Sequence, residues 1–204
     1  GLSWQIPEIV KQRFLEISRK ERPAENKETV SAPEKSFASL SLDEQIRRIA
    51  SWESSMNDSF KSFAKDLLQK SETGNDLKAT TLRSALKMEL PDFIEETKKF
   101  LKEKDANLVS AAIEYLSKFQ PDFLFPHLGS FLQMPNPRIK VSAIRALKSY
   151  DTSGAISSLR AMLSTPDLER KKMALACMIH FDFPLVRDCL TDFLIKNKDV
   201  ELLK

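Results

Sequence analysis

Glycine is scarce in this chain: 204 residues hold only four. Tyrosine occurs twice. A β-rich fold draws on glycine for its tight turns and on tyrosine for its strands, so this supply argues against one. So few glycines also leave no phosphate-cradling loop. Histidine and cysteine number two each. A zinc site wants several such ligands at short spacing, and His127 and His180 share no repeat position and have no ligand cluster beside them. No Ser, His and acid arrangement suggests a nucleophile, so no cofactor and no catalytic or metal residue is expected. Cys177 and Cys189 suit a reducing compartment better than a disulfide framework. No apolar run approaches the ~20 residues of a membrane span, and no signal peptide is visible. The net charge of +3 is small.

What the chain does have is an internal repeat of 31 residues. Its clearest copy, Asp105 to Leu132, reads as a helix, a proline-containing turn and a second helix. Leu77, Leu108 and Ile139 share one register position, and Leu82, Ile113, Ile144 and Leu175 share another. Ala112, Ala143 and Ala174 form a small-residue column, and Leu116, Leu147 and Met178 a further apolar one. In the second helix the columns are Leu128, Leu159 and Leu190, then Phe100, Phe131, Met162 and Phe193, then Leu101, Leu132, Leu163 and Leu194. Asp105, Asn136 and Asp167 fall in register as helix N-caps. A two-helix unit cannot bury its apolar face alone, so copies must stack, and the alanines let their helices approach closely.

These residues resemble a HEAT repeat of the short bacterial kind. The best match is Pro135 to Leu163, where PNPRIKVSAIRAL is similar to the family's Asp-Pro-x-Val-Arg-x-x-Ala-x-x-Ala-Leu opening. Asn136, Pro137, Ile139 and Lys140 stand at the matching positions, and Asp151, Ala155, Ile156, Leu159 and Leu163 follow the second-helix pattern. The chain departs from the pattern at Lys148-Ser149-Tyr150, where many members carry glycine. The resemblance implies an all-α fold, an α-solenoid of about four HEAT-like helical hairpins, and usually protein–protein binding. Some HEAT-like metal hydroxylases use His-Glu pairs, which are absent here. HEAT-like DNA glycosylases use aromatics and an acid on a basic concave face, and no such set maps onto this chain.

Four segments are expected. Residues 1–22 read as an amphipathic helix with Ile6, Ile9, Val10, Phe14 and Ile17 on one stripe. That stripe either packs on its own domain or docks on a partner, which makes self-association through it an expected outcome. Residues 23–40, with Pro23, Pro33 and many charges, read as a flexible linker. Residues 41–73 read as a degenerate helical pair capping the array at its N-terminal end; Ser41 and Glu44 form a capping-box pattern. Residues 74–204 carry the HEAT-like repeats, the last incomplete. The start at Gly1 without Met, and the helix that Asp199 to Leu203 begins, are the pattern of a piece of a longer protein.

Charge concentrates in one place. From Arg138 to Lys172 there are eight cations and three carboxylates. Arg138, Lys140, Arg145, Lys148, Arg170, Lys171 and Lys172 are the candidate contacts for an anionic partner. Lys140 and Lys171 share a register position, so stacking would set them side by side in a basic strip. The bland reading is a solvated edge. Aromatics do not interleave with these charges, which argues against single-strand nucleic-acid binding. The leading expectation is a non-catalytic protein–protein interaction scaffold, cytoplasmic or the cytoplasmic part of a larger protein. Nucleic-acid or anionic-ligand binding through the strip is the alternative, and a HEAT-like glycosylase or lyase a more distant one.

Overall fold

A computed structural model describes residues 37–52 and 57–196. The chain divides into two units, Gly1–Ser39 and Leu40–Lys204. In the first, the described residues are Phe37–Ser39, one turn of 3-10 helix. The stripe Ile6, Ile9, Val10, Phe14 and Ile17, residues 23–36 of the expected linker, and Asp199 to Leu203 lie outside the described residues.

The second unit contains ten α-helices and no strand among the described residues. They are α1 (Leu42–Ala50), α2 (Asn57–Gln69), α3 (Asn75–Lys87), α4 (Ile94–Phe100), α5 (Ala106–Phe119), α6 (Pro121–Gln133), α7 (Pro137–Leu147), α8 (Thr152–Leu163), α9 (Leu168–Met178) and α10 (Phe183–Lys196). The odd-numbered helices stack in sequence, α1 on α3, α3 on α5, α5 on α7 and α7 on α9. The even-numbered helices form a second layer: α6 packs on α5 and α7, and α8 on α7 and α9. This is an α-solenoid of helical hairpins.

The columns explain the stack. Ala112, Ala143 and Ala174 are wholly inaccessible, and Thr81, one period earlier, joins them. Small side chains at this seam let neighbouring axes come within ~8 Å, the short end of helix packing distances. Thr81 satisfies its hydroxyl locally by donating to the Leu77 carbonyl at 2.8 Å. On the other layer Phe100, Phe131, Met162 and Phe193 are all buried, one per hairpin. Burying each such side chain is worth ~1.5–3 kcal/mol. Two core clusters result, one built on Ile113, Leu128 and Phe131, the other on Ile144, Leu159 and Phe193. Leu132 and Leu147, both half-buried, pack against both clusters and join them.

The helix starts follow the register too. Asp105 accepts from the Leu108 N–H at 2.8 Å, Asn136 from Arg138 and Ile139, and Asp167 from Arg170. The Ser41–Glu44 capping box forms, with Ser41 N–H donating to the Glu44 carboxylate at 2.9 Å. In α3 the same register position is Gly74, which supplies no side-chain cap. A Cβ there would meet nothing within 4 Å. Gly74→Asp is therefore expected to restore the missing cap and raise stability by a few tenths to ~1 kcal/mol, read as a higher urea midpoint at unchanged slope.

The hairpin α3–α4 departs from the others, because α4 is only seven residues long. Tyr115 of α5 takes up the difference. Its buried hydroxyl donates to the Leu90 carbonyl at 2.6 Å and accepts from the Phe93 N–H at 3.1 Å. Both turn residues are themselves buried. Tyr115→Phe is expected to cost ~1–3 kcal/mol, because it strands a buried donor and a buried acceptor together. Burial pushes the Tyr115 phenol up to about 12 from 10.0. A folded value above the unfolded one gives stability that is whole below pH 10 and lost as pH rises through 12. The gap between wild type and Tyr115→Phe should accordingly narrow across that alkaline range in urea titrations.

Candidate interaction surfaces

The odd-numbered helices carry polar residues that pair across the stack at the repeat period. The Asn107 amide donates to the Asp76 carboxylate at 2.7 Å, and the Arg138 guanidinium donates to the Asn107 side-chain oxygen at 3.0 Å. Two helical turns further along, Glu114 sits between Arg83 and Arg145 at 3.5 Å from each, and accepts from the Ser142 hydroxyl at 3.1 Å. Two ladders thus cross α3, α5 and α7. Glu114 is the central member, and its side chain is only 19% exposed.

Beside Glu114 lies an open groove of about 310 Å³, bordered by Lys118, Arg145, Lys148 and His180. Its cations are already engaged. Lys118 pairs with Glu89 at 2.6 Å, and that hydrogen bond holds the exposed Glu89 carboxyl below the ordinary range. Lys148 donates to the His180 carbonyl at 2.7 Å and lies over the Phe181 ring. Burial, and then the Arg145 charge, push the His180 imidazole below its usual value.

The seven candidate cations do not gather into one strip. Arg138 and Arg145 belong to the ladders and Lys148 to the Glu114 groove. Lys140, two residues after Arg138, stands about 200° round α7 and lines a different groove, together with Arg170. Lys171 lines the equivalent groove one repeat later. Arg170 also pairs with Asp167 at 3.2 Å and donates to the Pro135 carbonyl, while Lys172 pairs with Glu169 at 3.9 Å across an exposed turn. The register shared by Lys140 and Lys171 places them in successive grooves, and it does not carry Arg138 or Arg145 with them.

Asp76, Arg83, Asn107 and Glu114 were not singled out by sequence reasoning. Their signal was present: Asp76, Asn107 and Arg138, like Arg83, Glu114 and Arg145, are spaced by 31.

Other reactive side chains are occupied structurally. Cys177 and Cys189 are free and buried in one core cluster. Burial pushes the Cys177 thiol up to about 11, the wrong direction for a nucleophile. His127 is exposed and packs near the Phe123 ring at 5.3 Å. Among the described residues no three His, Cys, Asp or Glu side chains gather as a metal site would need. No described helix is long and apolar enough to cross a membrane.

Glu114→Gln keeps the shape of the ladder and removes its central charge. Discounted for the exposure of both arginines, the loss is expected at ~0.5–1 kcal/mol, and it should shrink in 1 M salt as screening replaces the pairing. Equal losses at low and high salt would show that the ladder holds by shape alone.

A family model described as HEAT repeats matches residues 94–179, from α4 through the end of α9. No curated protein and no solved structure matches the chain.

Proposed function

From the HEAT repeats that residues 94–179 form, we propose that the protein is a non-catalytic scaffold that binds another protein. HEAT repeats generally serve as protein-interaction scaffolds, and the present array supports that use because its helices are held in fixed register. The observation that carries the reading is the pair of ladders through Asn107 and Glu114, which ties three successive repeats together on their polar face. A surface prealigned over several repeats loses little freedom when a partner settles on it. We place the protein in the cytoplasm, or in the cytoplasmic part of a larger protein.

Nucleic-acid binding through a single basic strip is less favoured, since the strip's cations divide between different sides of α7 and several are engaged by carboxylates or carbonyls.

The test uses the whole chain as bait, followed by reconstitution of the complex from purified components. Saturable binding of a purified protein, unaffected by competing DNA, is expected. Sequence-selective nucleic-acid binding that survives high salt would overturn the scaffold reading, since charge-driven contact fades as counterions are added.

A further inference from the structure

We infer that residues 199–204 take a seat beyond α10, where Leu202 sets against Leu194 in the place that Leu108 and Ile139 hold in earlier repeats.

The last described hairpin, α9 and α10, has an uncovered apolar face. Leu82, Ile113 and Ile144 share one column and are buried to 1% exposure or less, while Leu175, the fourth member, is only half-buried. Leu128 and Leu159 are buried, and Leu190, one period on, is again half-buried. Leu163 is 4% exposed and Leu194 46%. One repeat earlier the covering body is the following hairpin, since Ile144, Leu159 and Leu163 share a core cluster with Ala174 and Cys177. The same three columns open together at α9 and α10, which is the shape of a seat for a following first helix.

Register and connection length choose what takes that seat. Each first helix from α5 onward starts at a capping side chain soon after the preceding second helix. Asp105 comes five residues after Phe100, Asn136 three after Gln133 and Asp167 four after Leu163. Asp199 comes three after Lys196, the last residue of α10. It stands one residue later than the period from Asp167, and α10 runs two residues past the register end of α8. The third residue after the cap is Leu108 in α5 and Ile139 in α7, both buried. After Asp199 it is Leu202.

The pairing follows from the same register. Asp105-Ala-Asn-Leu-Val and Asp199-Val-Glu-Leu-Leu agree at the cap and at both apolar positions. Val109 and Ile139 belong to a core cluster against which Leu101 and Leu132 pack, and these two are the column mates of Leu194. Six residues of helix advance ~9 Å, which reaches Leu194. Phe183 lies at the opposite end of α10, ~16 Å away along its axis, and stays open.

The experiment measures Tm and amide exchange on the whole chain. Leu202→Asp and Leu194→Asp are each expected to lower Tm by ~2–4 °C, and the pair together by no more than either alone, because both remove one contact. An uncovered surface position would take Asp without such a shift. The Leu202 N–H should exchange about tenfold more slowly than in an isolated 197–204 peptide, and Asp199→Ala should return it to the peptide rate. Unshifted Tm in both variants, with Leu202 exchanging at the peptide rate, overturns the assignment. So does a concentration-dependent dimer, seen by light scattering, that Leu194→Asp abolishes; the face would then belong to a second copy of the chain.

Discussion

Close contact along the seam of Thr81, Ala112, Ala143 and Ala174 is the constraint on which the rest depends. All four are wholly inaccessible, and none is larger than threonine. A long side chain at any of them would force two stacked helices apart, and every feature that spans repeats would be displaced with them. The ladder bonds at 2.7 and 3.0 Å between Asp76, Asn107 and Arg138 tolerate little such movement. They form because the seam converts a sequence period of 31 into a constant step in space. Polar pairing is therefore a consequence of the apolar packing, and it then holds the register against sliding.

The second layer absorbs the irregularities. Phe100, Phe131, Met162 and Phe193 are buried at equivalent sites, and methionine replaces phenylalanine at one of the four. The shortest member, α4, follows a turn in which Glu89 adopts a left-handed φ of 59°. The Leu90 N–H closes back on the Ala85 carbonyl there, and the Glu89 N–H on that of Leu86, a helix end that glycine more commonly supplies. The Tyr115 hydroxyl completes this turn from α5. Irregular backbone is thus held by a side chain of the following repeat, and the stack continues undisturbed.

Much of this was legible in the sequence, and the physical reason is periodicity. Burial at a fixed spacing leaves a one-dimensional trace, so the columns through Leu108, Ala112, Ile113 and Phe131 and the caps at Asp105, Asn136 and Asp167 could be read directly. What was not legible is whatever depends on which way around its helix a residue faces. Lys140 and Arg145 look like members of one basic run, yet they stand on different sides of α7. In α10 Cys189 and Phe193 turn inward, while Leu194, the very next residue, is exposed. The Tyr115 bonds join backbone groups 22 and 25 residues away, and no local pattern announces them.

The division of charge between faces has a consequence for binding. On the ladder face a ligand must displace existing partners, since Glu114 holds both Arg83 and Arg145, and Arg138 holds Asn107. Removing one member strands another that is partly buried, and that cost is set against whatever the ligand gains. Lys140 and Lys171 line other grooves, beside Met162 and Phe193 respectively. Within α7 two positions separate ladder from groove, Arg138 against Lys140.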